Sequence, residues 1–365
     1  MDNSKERFIP LIESEEFDKD QKLVSDLYPR SFEGYSLLEL CCYYGAVDCF
    51  KLLRTKFNSE ITKKCLKLSF LSGNPDIISE CLKYQKPNEK CIIYAIISHN
   101  IDFVTFLMNE YNLKNNLSSC VCHNNLESFL VYFDQTNDIN KCFVNSTVFN
   151  IPSLCEYFLS LGANIRERDE YGRTALHNAT IYNCKEIIEI LLSHGANIND
   201  KDNYGKTALF YTVDHNRKEI VELLLSHGAN IDEQDYLRKT TLFYAVENNC
   251  KEIIEFLLSH GANINARNQY GRTALIIATF NNNKEIVELL LSHGTSPNEK
   301  GMNKETALHC AAYYNRREIA ELLLLYGANI DEKDKDGNTP LFYATYNNSK
   351  ETSDFLLLHT SIINS

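Results

Sequence analysis

No apolar stretch in this 365-residue chain approaches the ~20 residues that a membrane-spanning helix needs. The longest, such as Cys91 to Ile97, fall far short. The first residues, MDNSKERFIP, are charged where a secretory signal carries an apolar core. Membrane insertion and secretion are therefore not expected; the cytosol or the nucleus is. Basic charge is scarce as well. The net charge is −12, with 16 Lys+Arg against 20 Asp+Glu in residues 1–150 and 21 against 29 in residues 151–365. Neither part offers phosphates a basic footprint, which argues against nucleic acid or anionic membrane as direct partners. With only 7 Pro and 14 Gly, long flexible linkers are not expected either. There is no CxxC pair, and the 13 Cys, an odd number, sit mostly inside helical apolar patterns, so reduced and buried thiols are expected. A glycine-rich phosphate loop, an HExxH helix and a nucleophile elbow are also missing. No constellation of acid, base and nucleophile stands out, so no catalytic residue, cofactor or metal is assigned and the chain reads as a non-enzyme.

What the sequence has is a period of 33 residues. A Thr-x-Leu element recurs at Thr174, Thr207, Thr240, Thr273, Thr306 and Thr339, and GANI at Gly162, Gly195, Gly228, Gly261 and Gly327, with GTSP at Gly294. Between them lies K-E-I-[IV]-E-x-L-L, as in Lys185 to Leu192, Lys218 to Leu225 and Lys251 to Leu258. Ile187, Ile188, Ile190, Leu191 and Leu192 are apolar while Glu186, Glu189 and Ser193 form one polar stripe, which predicts a helix buried around most of its circumference. So short a helix is marginal alone and needs stacked neighbours to cover it. The glycine after Ser-His suits the left-handed residue that ends a helix. Upstream, TALHNATIYN predicts a shorter helix, with the Thr174 hydroxyl serving its first turn. It ends at Asn183, Asn216, Asn249, Asn282, Asn315 or Asn348, a residue type that tolerates left-handed geometry in the turn between antiparallel helices.

These motifs resemble those of the ankyrin-repeat family, whose units run D-x-x-G-x-T-P-L-H, a helix, a turn, a second helix and G-A-D-V-N. The resemblance covers residues 169–365 as six repeats and implies an all-α solenoid of stacked antiparallel helix pairs joined by short hairpin loops. Departures are regular: Pro340 alone keeps the proline, only His177 and His309 keep the histidine, and asparagine replaces the inter-helix glycine. Arg238 and Lys304 replace the hairpin glycine found at Gly172, Gly205, Gly271 and Gly337, so those two hairpins are expected to be distorted or to shift the strain to another residue. In the last repeat Thr352 and Ser353 replace the apolar pair, which suggests a more polar outer face and a C-terminal cap.

Upstream the period fades but helix pairs persist, at Ser36 to Leu53, Lys64 to Leu82 and Cys91 to Met108, each broken at Gly45-Ala46, Gly73-Asn74 or His99-Asn100. Two more pairs, near Cys120 to Phe133 and Cys142 to Leu159, lead into the regular array. The chain is thus divided into an acidic segment (1–28), a divergent helical region of degenerate repeats (29–135), a transitional repeat (136–168) and the array (169–365). The divergent region resembles the helical module that precedes ankyrin arrays in large protist families. Glu13 to Asp20 is expected to start outside the fold.

Some residues invite chemistry. His194, His227, His260 and His293 recur once per repeat, but stacked units about 10 Å apart cannot share a metal whose ligands stand about 2 Å away; a role at the helix C-terminus is expected instead. Cys120-Val121-Cys122-His123 could form half a zinc site, yet no second pair stands at finger spacing. Binding is expected where repeats vary. The hairpin tips read Tyr171, Tyr204, Leu237, Tyr270, Asn303 and Asp336; the ends of the first helices read Ile181-Tyr182, Asp214-His215, Glu247-Asn248, Phe280-Asn281, Tyr313-Tyr314 and Tyr346-Asn347. The resemblance puts both sets in the concave groove, where family members bind proteins, and the candidate partner-binding residues are Tyr171, Tyr182, Tyr204, His215, Leu237, Tyr270, Phe280, Tyr313, Tyr314 and Tyr346. The function read from the chain is a monomeric scaffold or adaptor for another protein. The rival readings are a separate enzymatic or regulatory domain in residues 1–135 and a self-assembling array.

Overall fold

The computed structural model describes residues 5–14, 17–25 and 33–363. The described residues are mostly helical and the chain divides into two compact bodies, Met1–Cys142 and Phe143–Ser365. Among the described residues the only strands are Lys22–Leu23 and Tyr35–Ser36, which pair antiparallel.

The N-terminal body is a stack of helix pairs: Leu37–Tyr44 with Val47–Phe57, Lys63–Ser72 with Pro75–Leu82, Glu89–Ile97 with Ile101–Tyr111, and Leu117–Cys122 with Leu126–Thr136. First helices pack on first helices and second on second. Each tight turn within a pair places one residue in left-handed geometry, at Gly45, Gly73, His99 and Asn124. Asparagines cap three of the four second helices: the Asn74, Asn100 and Asn125 side chains accept N–H bonds from Ile77, Phe103 and Ser128. Capping of this kind contributes about 1 kcal/mol per helix. The stretch expected to begin outside the fold is held against it. Phe8 and Ile12 of the helix Lys5–Ile12 are buried, the Phe17 ring lies 4.9 Å from that of Phe57, and Glu13 pairs with Lys56 at 3.0 Å.

The C-terminal body holds the regular array: repeats 1 to 6 begin at residues 169, 202, 235, 268, 301 and 334, preceded by the helix Pro152–Ser160. Each repeat runs hairpin, inner helix, turn, outer helix. The inner segments are Ala175–Ile181, Ala208–His215, Thr241–Glu247, Ala274–Phe280, Ala307–Tyr313 and Pro340–Tyr346, the second of them wound as a 3-10 helix. The outer helices are Lys185–Ser193, Lys218–Ser226, Lys251–Ser259, Lys284–Ser292, Arg317–Leu325 and Lys350–Ile363. Ile187, Ile188 and Leu191 and their equivalents in repeats 2 to 5 are buried, so each of these outer helices gains its cover from its neighbours. All six inter-helix asparagines are left-handed, with φ between 52° and 61°.

The hairpins form a ladder. The backbone N–H of Asn203, Tyr236, Gln269, Met302 and Lys335 donates to the carbonyl of Tyr171, Tyr204, Leu237, Tyr270 and Asn303 in the preceding hairpin, at 2.8 to 3.3 Å. Arg238 and Lys304 neither distort their hairpins nor pass the strain on. They adopt φ 57° and 58° themselves, matching the glycines of the other repeats.

Of the polar pair in repeat 6, Ser353 is partly exposed while Thr352 faces inward. Thr352 is buried and its hydroxyl donates to Asn315 Oδ1 at 3.0 Å, back toward repeat 5. Within repeat 6 itself, Phe342 and Leu357 are exposed. The residues equivalent to Phe342 (His177, Phe210, Phe243, Ile276 and His309) are all buried under the repeat that follows them.

Candidate interaction surface

Two interlocking sets of side chains fix the face made by hairpins and inner helices. The first residue of a hairpin is usually aspartate, and its Oδ1 accepts the N–H groups two and four residues on: Asp202 takes Tyr204 and Lys206, Asp235 takes Leu237 and Lys239, and Asp334 takes Asp336 and Asn338. In repeats 1 and 5, His177 and His309 join one repeat to the next. The N–H of Thr174 donates to His177 Nδ1 (3.1 Å), and Nε2 stands 3.1 Å from the Lys206 carbonyl; Thr306, His309 and Asn338 repeat the arrangement at 3.1 and 3.2 Å. Both rings are buried, which depresses their pKa values. The N-cap threonine therefore serves its own histidine, with its hydroxyl 2.9 Å from Nδ1, more than the first-turn N–H groups expected of it. Where Phe243 and Ile276 replace the histidine, the buried hydroxyls of Thr240 and Thr273 have no partner.

Against this scaffold the expected binding residues are exposed. Tyr171, Tyr204, Leu237 and Tyr270 project from the hairpins, and Tyr182, Phe280, Tyr313, Tyr314 and Tyr346 from the ends of the inner helices. The His215 side chain lies outside the described residues. The structure brings part of the set together: Phe280 and Tyr314 meet edge to face at 5.0 Å, and Tyr313 lies 4.7 Å from Tyr314 and 6.0 Å from Tyr343. With Arg272, Glu305 and Cys310 these rings line a cavity of about 340 Å³. Tyr171 instead lies under its own Arg173, at 4.9 Å. The sequence reading overlooked Tyr236 and Met302, which are 69% and 68% exposed and thus more open than most of the chosen residues. Their column reads Glu170, Asn203, Tyr236, Gln269, Met302 and Lys335, as variable as its neighbour, and that variation was the available signal.

The recurring histidines cap helices. In His194, His227, His260 and His293 the Nδ1 atom lies 2.8 or 2.9 Å from the carbonyl four residues back. Cys120 is buried with its thiol on Asn115 Oδ1, while Cys122 is exposed, so the two do not face one point. Among the described residues no group of three or more His, Cys, Asp or Glu could hold a metal, and no helix is long and apolar enough to cross a membrane.

Comparison with known proteins divides the chain in a similar place. A domain of unknown function (DUF3447) matches residues 57–132, and a profile of three ankyrin repeats matches residues 146–235, 233–301 and 294–365. No curated protein matches significantly. Among solved structures, the ankyrin repeat domain of Bcl-3, described as a unique member of the IkappaB protein family, is similar with a TM-score of 0.53 at 27% identity, over 60% of this chain and 97% of that one. The repeat motifs, the stacked helix pairs and a family match over more than half the sequence agree: the chain belongs to the ankyrin-repeat family, whose repeats are protein–protein interaction modules.

Proposed function

We propose that this chain is a non-catalytic scaffold or adaptor, a monomer that binds another protein along the concave face of hairpins and inner helices. The observation that carries the reading is a division of labour on that face. The fold's own polar groups are consumed in the aspartate turns and the hairpin ladder, while large side chains that differ from repeat to repeat stand exposed beside them. Tyrosine offers wide contact with few rotatable bonds and a polar tip, which suits protein recognition. The outer helices expose Lys185, Glu186, Glu189 and their equivalents, a solvated surface. In the same reading, residues 29–135 are shortened, degenerate repeats, with 136–168 as the transition. The left-handed turn residue kept from Gly45 to Asn150 and onward supports this.

A photo-crosslinking amino acid placed singly at Tyr171, Tyr270 or Tyr313, and for comparison at Glu189 or Glu255, tests the face in lysate from the source cells. Crosslinks that form only from the hairpin and inner-helix positions, and that excess unlabelled protein suppresses, support the proposal. Crosslinks only from the outer helices would overturn it.

A further inference from the structure

Two positions in the repeats vary together. Four residues after each N-cap threonine stand Asn178, Tyr211, Tyr244, Ile277, Cys310 and Tyr343, and at the hairpin starts stand Asp169, Asp202, Asp235, Asn268, Gly301 and Asp334. Wherever the tyrosine is present its hydroxyl donates to the aspartate of its own hairpin: Tyr211 to Asp202, Tyr244 to Asp235 (2.7 Å) and Tyr343 to Asp334 (2.6 Å). Each ring also leans edge-on against the preceding inner helix, at 6.1 Å from His177, 5.6 Å from Phe210 and 6.0 Å from His309. A cation from the preceding hairpin covers two of the rings, Arg173 over Tyr211 at 5.2 Å and Lys206 over Tyr244 at 4.1 Å. The repeats thus build a phenol slot from three walls: a side chain of the previous inner helix, a cation of the previous hairpin and a carboxylate of the repeat's own hairpin.

Repeat 5 keeps the walls and lacks the ring. Cys310 stands in place of tyrosine, Ile276 in the place of His177 and Phe210, and Arg272 in the place of Arg173 and Lys206. Gly301 removes the aspartate, but Glu305 restores the carboxylate. A Cβ built on Gly301 would meet Glu305 Oε1 at 2.5 Å, so that carboxylate occupies the space an aspartate would take. Like the aspartates, Glu305 accepts the N–H of the hairpin's third residue, Asn303, at 2.8 Å through Oε2. Its Oε1 lies 3.7 Å from Arg272 Nε, beyond hydrogen-bond reach, and that buried Nε has no hydrogen-bond partner. The space left is the cavity of about 340 Å³ on the groove, with Tyr314 and Tyr343 at its sides.

We propose that this slot receives a tyrosine side chain of the partner protein, with the ring where Tyr211 and Tyr244 stand in their own repeats and the hydroxyl donating to Glu305. The chain supplies the template for its ligand. A lysine or arginine would meet Arg272, an aspartate or glutamate would meet Glu305, and a phenylalanine would fill the space but leave Glu305 Oε1 without its donor. The proposal rests on the hairpin face being the binding face and names the group it recognises.

The test follows the Ile276 methyl signal of the full chain by NMR during titration with p-cresol, with acetyl-Gly-Tyr-Gly-amide and with its phenylalanine counterpart. The expected result is a saturable shift with p-cresol and with the tyrosine peptide, and about tenfold weaker binding of the phenylalanine peptide, as for loss of a hydrogen bond to a charged group. Cys310→Tyr should fill the slot, abolish the shift and leave the melting temperature equal or higher. Glu305→Gln, which keeps the shape, should narrow the preference for tyrosine. No saturable shift with either tyrosine probe, equal affinity for the two peptides, or an unchanged shift in Cys310→Tyr would overturn the proposal. Binding of p-cresol without the peptide would overturn the protein ligand in favour of a free phenol. Crosslinks on the hairpin face with a silent Ile276 would sink only the slot, whereas peptide binding with crosslinks on the outer helices would sink the face reading.

Discussion

Replacing Arg238 and Lys304 with glycine should stabilise the array. Both residues hold left-handed backbone, φ 57° and 58°, at a site where the other repeats use glycine, and both side chains are exposed. Left-handed geometry costs a residue with a Cβ about 1–2 kcal/mol. Glycine returns part of that, about 0.5–1 kcal/mol, through the greater freedom of its unfolded chain. The net gain is about 0.5–1 kcal/mol per site, and sites two repeats apart should add. A gain of about 1–2 kcal/mol for the double variant would raise the melting temperature of an array this size by roughly 2–8 °C in far-UV circular dichroism. The reverse changes sharpen the argument. In Gly205→Ala the new methyl meets the Tyr236 backbone nitrogen at 2.9 Å, whereas at Gly337 nothing lies within 4 Å. Gly205→Ala should therefore cost more than Gly337→Ala, which carries backbone strain alone. A double glycine variant that melts no higher than the parent, together with equal losses for the two alanines, would refute strain at these hairpins.

Three further outcomes are expected. His177 and His309 are held neutral by burial, so protonation below the unfolded value near 6.5 favours the unfolded chain; their contribution is complete above that pH and is lost as pH falls beneath it. The drop in melting temperature from about pH 7.5 to about pH 5.5 should shrink in a His177→Phe, His309→Phe double variant, phenylalanine being the residue already at positions 210, 243 and 342. Tyr244→Phe removes a hydroxyl bonded to the Asp235 carboxylate and should cost about 1.5–3 kcal/mol by urea denaturation. Cys122 is exposed, while burial pushes Cys120, Cys142, Cys155 and Cys310 up to about 12. In a thiol titration of the native protein, the first cysteine to react should therefore disappear in Cys122→Ser.

What the sequence disclosed follows from what repetition reports. A residue recurring every 33 positions sees the same local demand each time, so the asparagine turns, the buried faces of the outer helices and the end-of-helix histidines could all be read directly. The helix pairs before residue 143, where the period fades, were legible instead through the breaks at Gly45, Gly73 and His99 between apolar helices. Exchange between neighbouring repeats was not legible. That Glu305 folds back into the space of a missing aspartate, or that Thr352 turns toward Asn315 and away from the last face, depends on which side chain of which neighbour fills a gap, and a period carries no such information. Two adjacent columns project from each hairpin, and Tyr236 stands in the one beside Tyr171, Tyr204, Leu237 and Tyr270. The candidate site was therefore found as a face, and the cavity beside Cys310 emerged only from the packing.

The most direct test of the scaffold reading compares three proteins in quantitative pull-downs from source-cell lysate: the intact chain, a variant with Tyr171, Tyr204, Tyr270, Tyr313 and Tyr314 changed to alanine, and a control with Glu189, Glu222 and Glu255 of the outer helices changed to alanine. Circular dichroism must first show that all three fold. A partner held by the intact chain and the control but lost from the tyrosine variant is the predicted result; equal recovery by all three would contradict it.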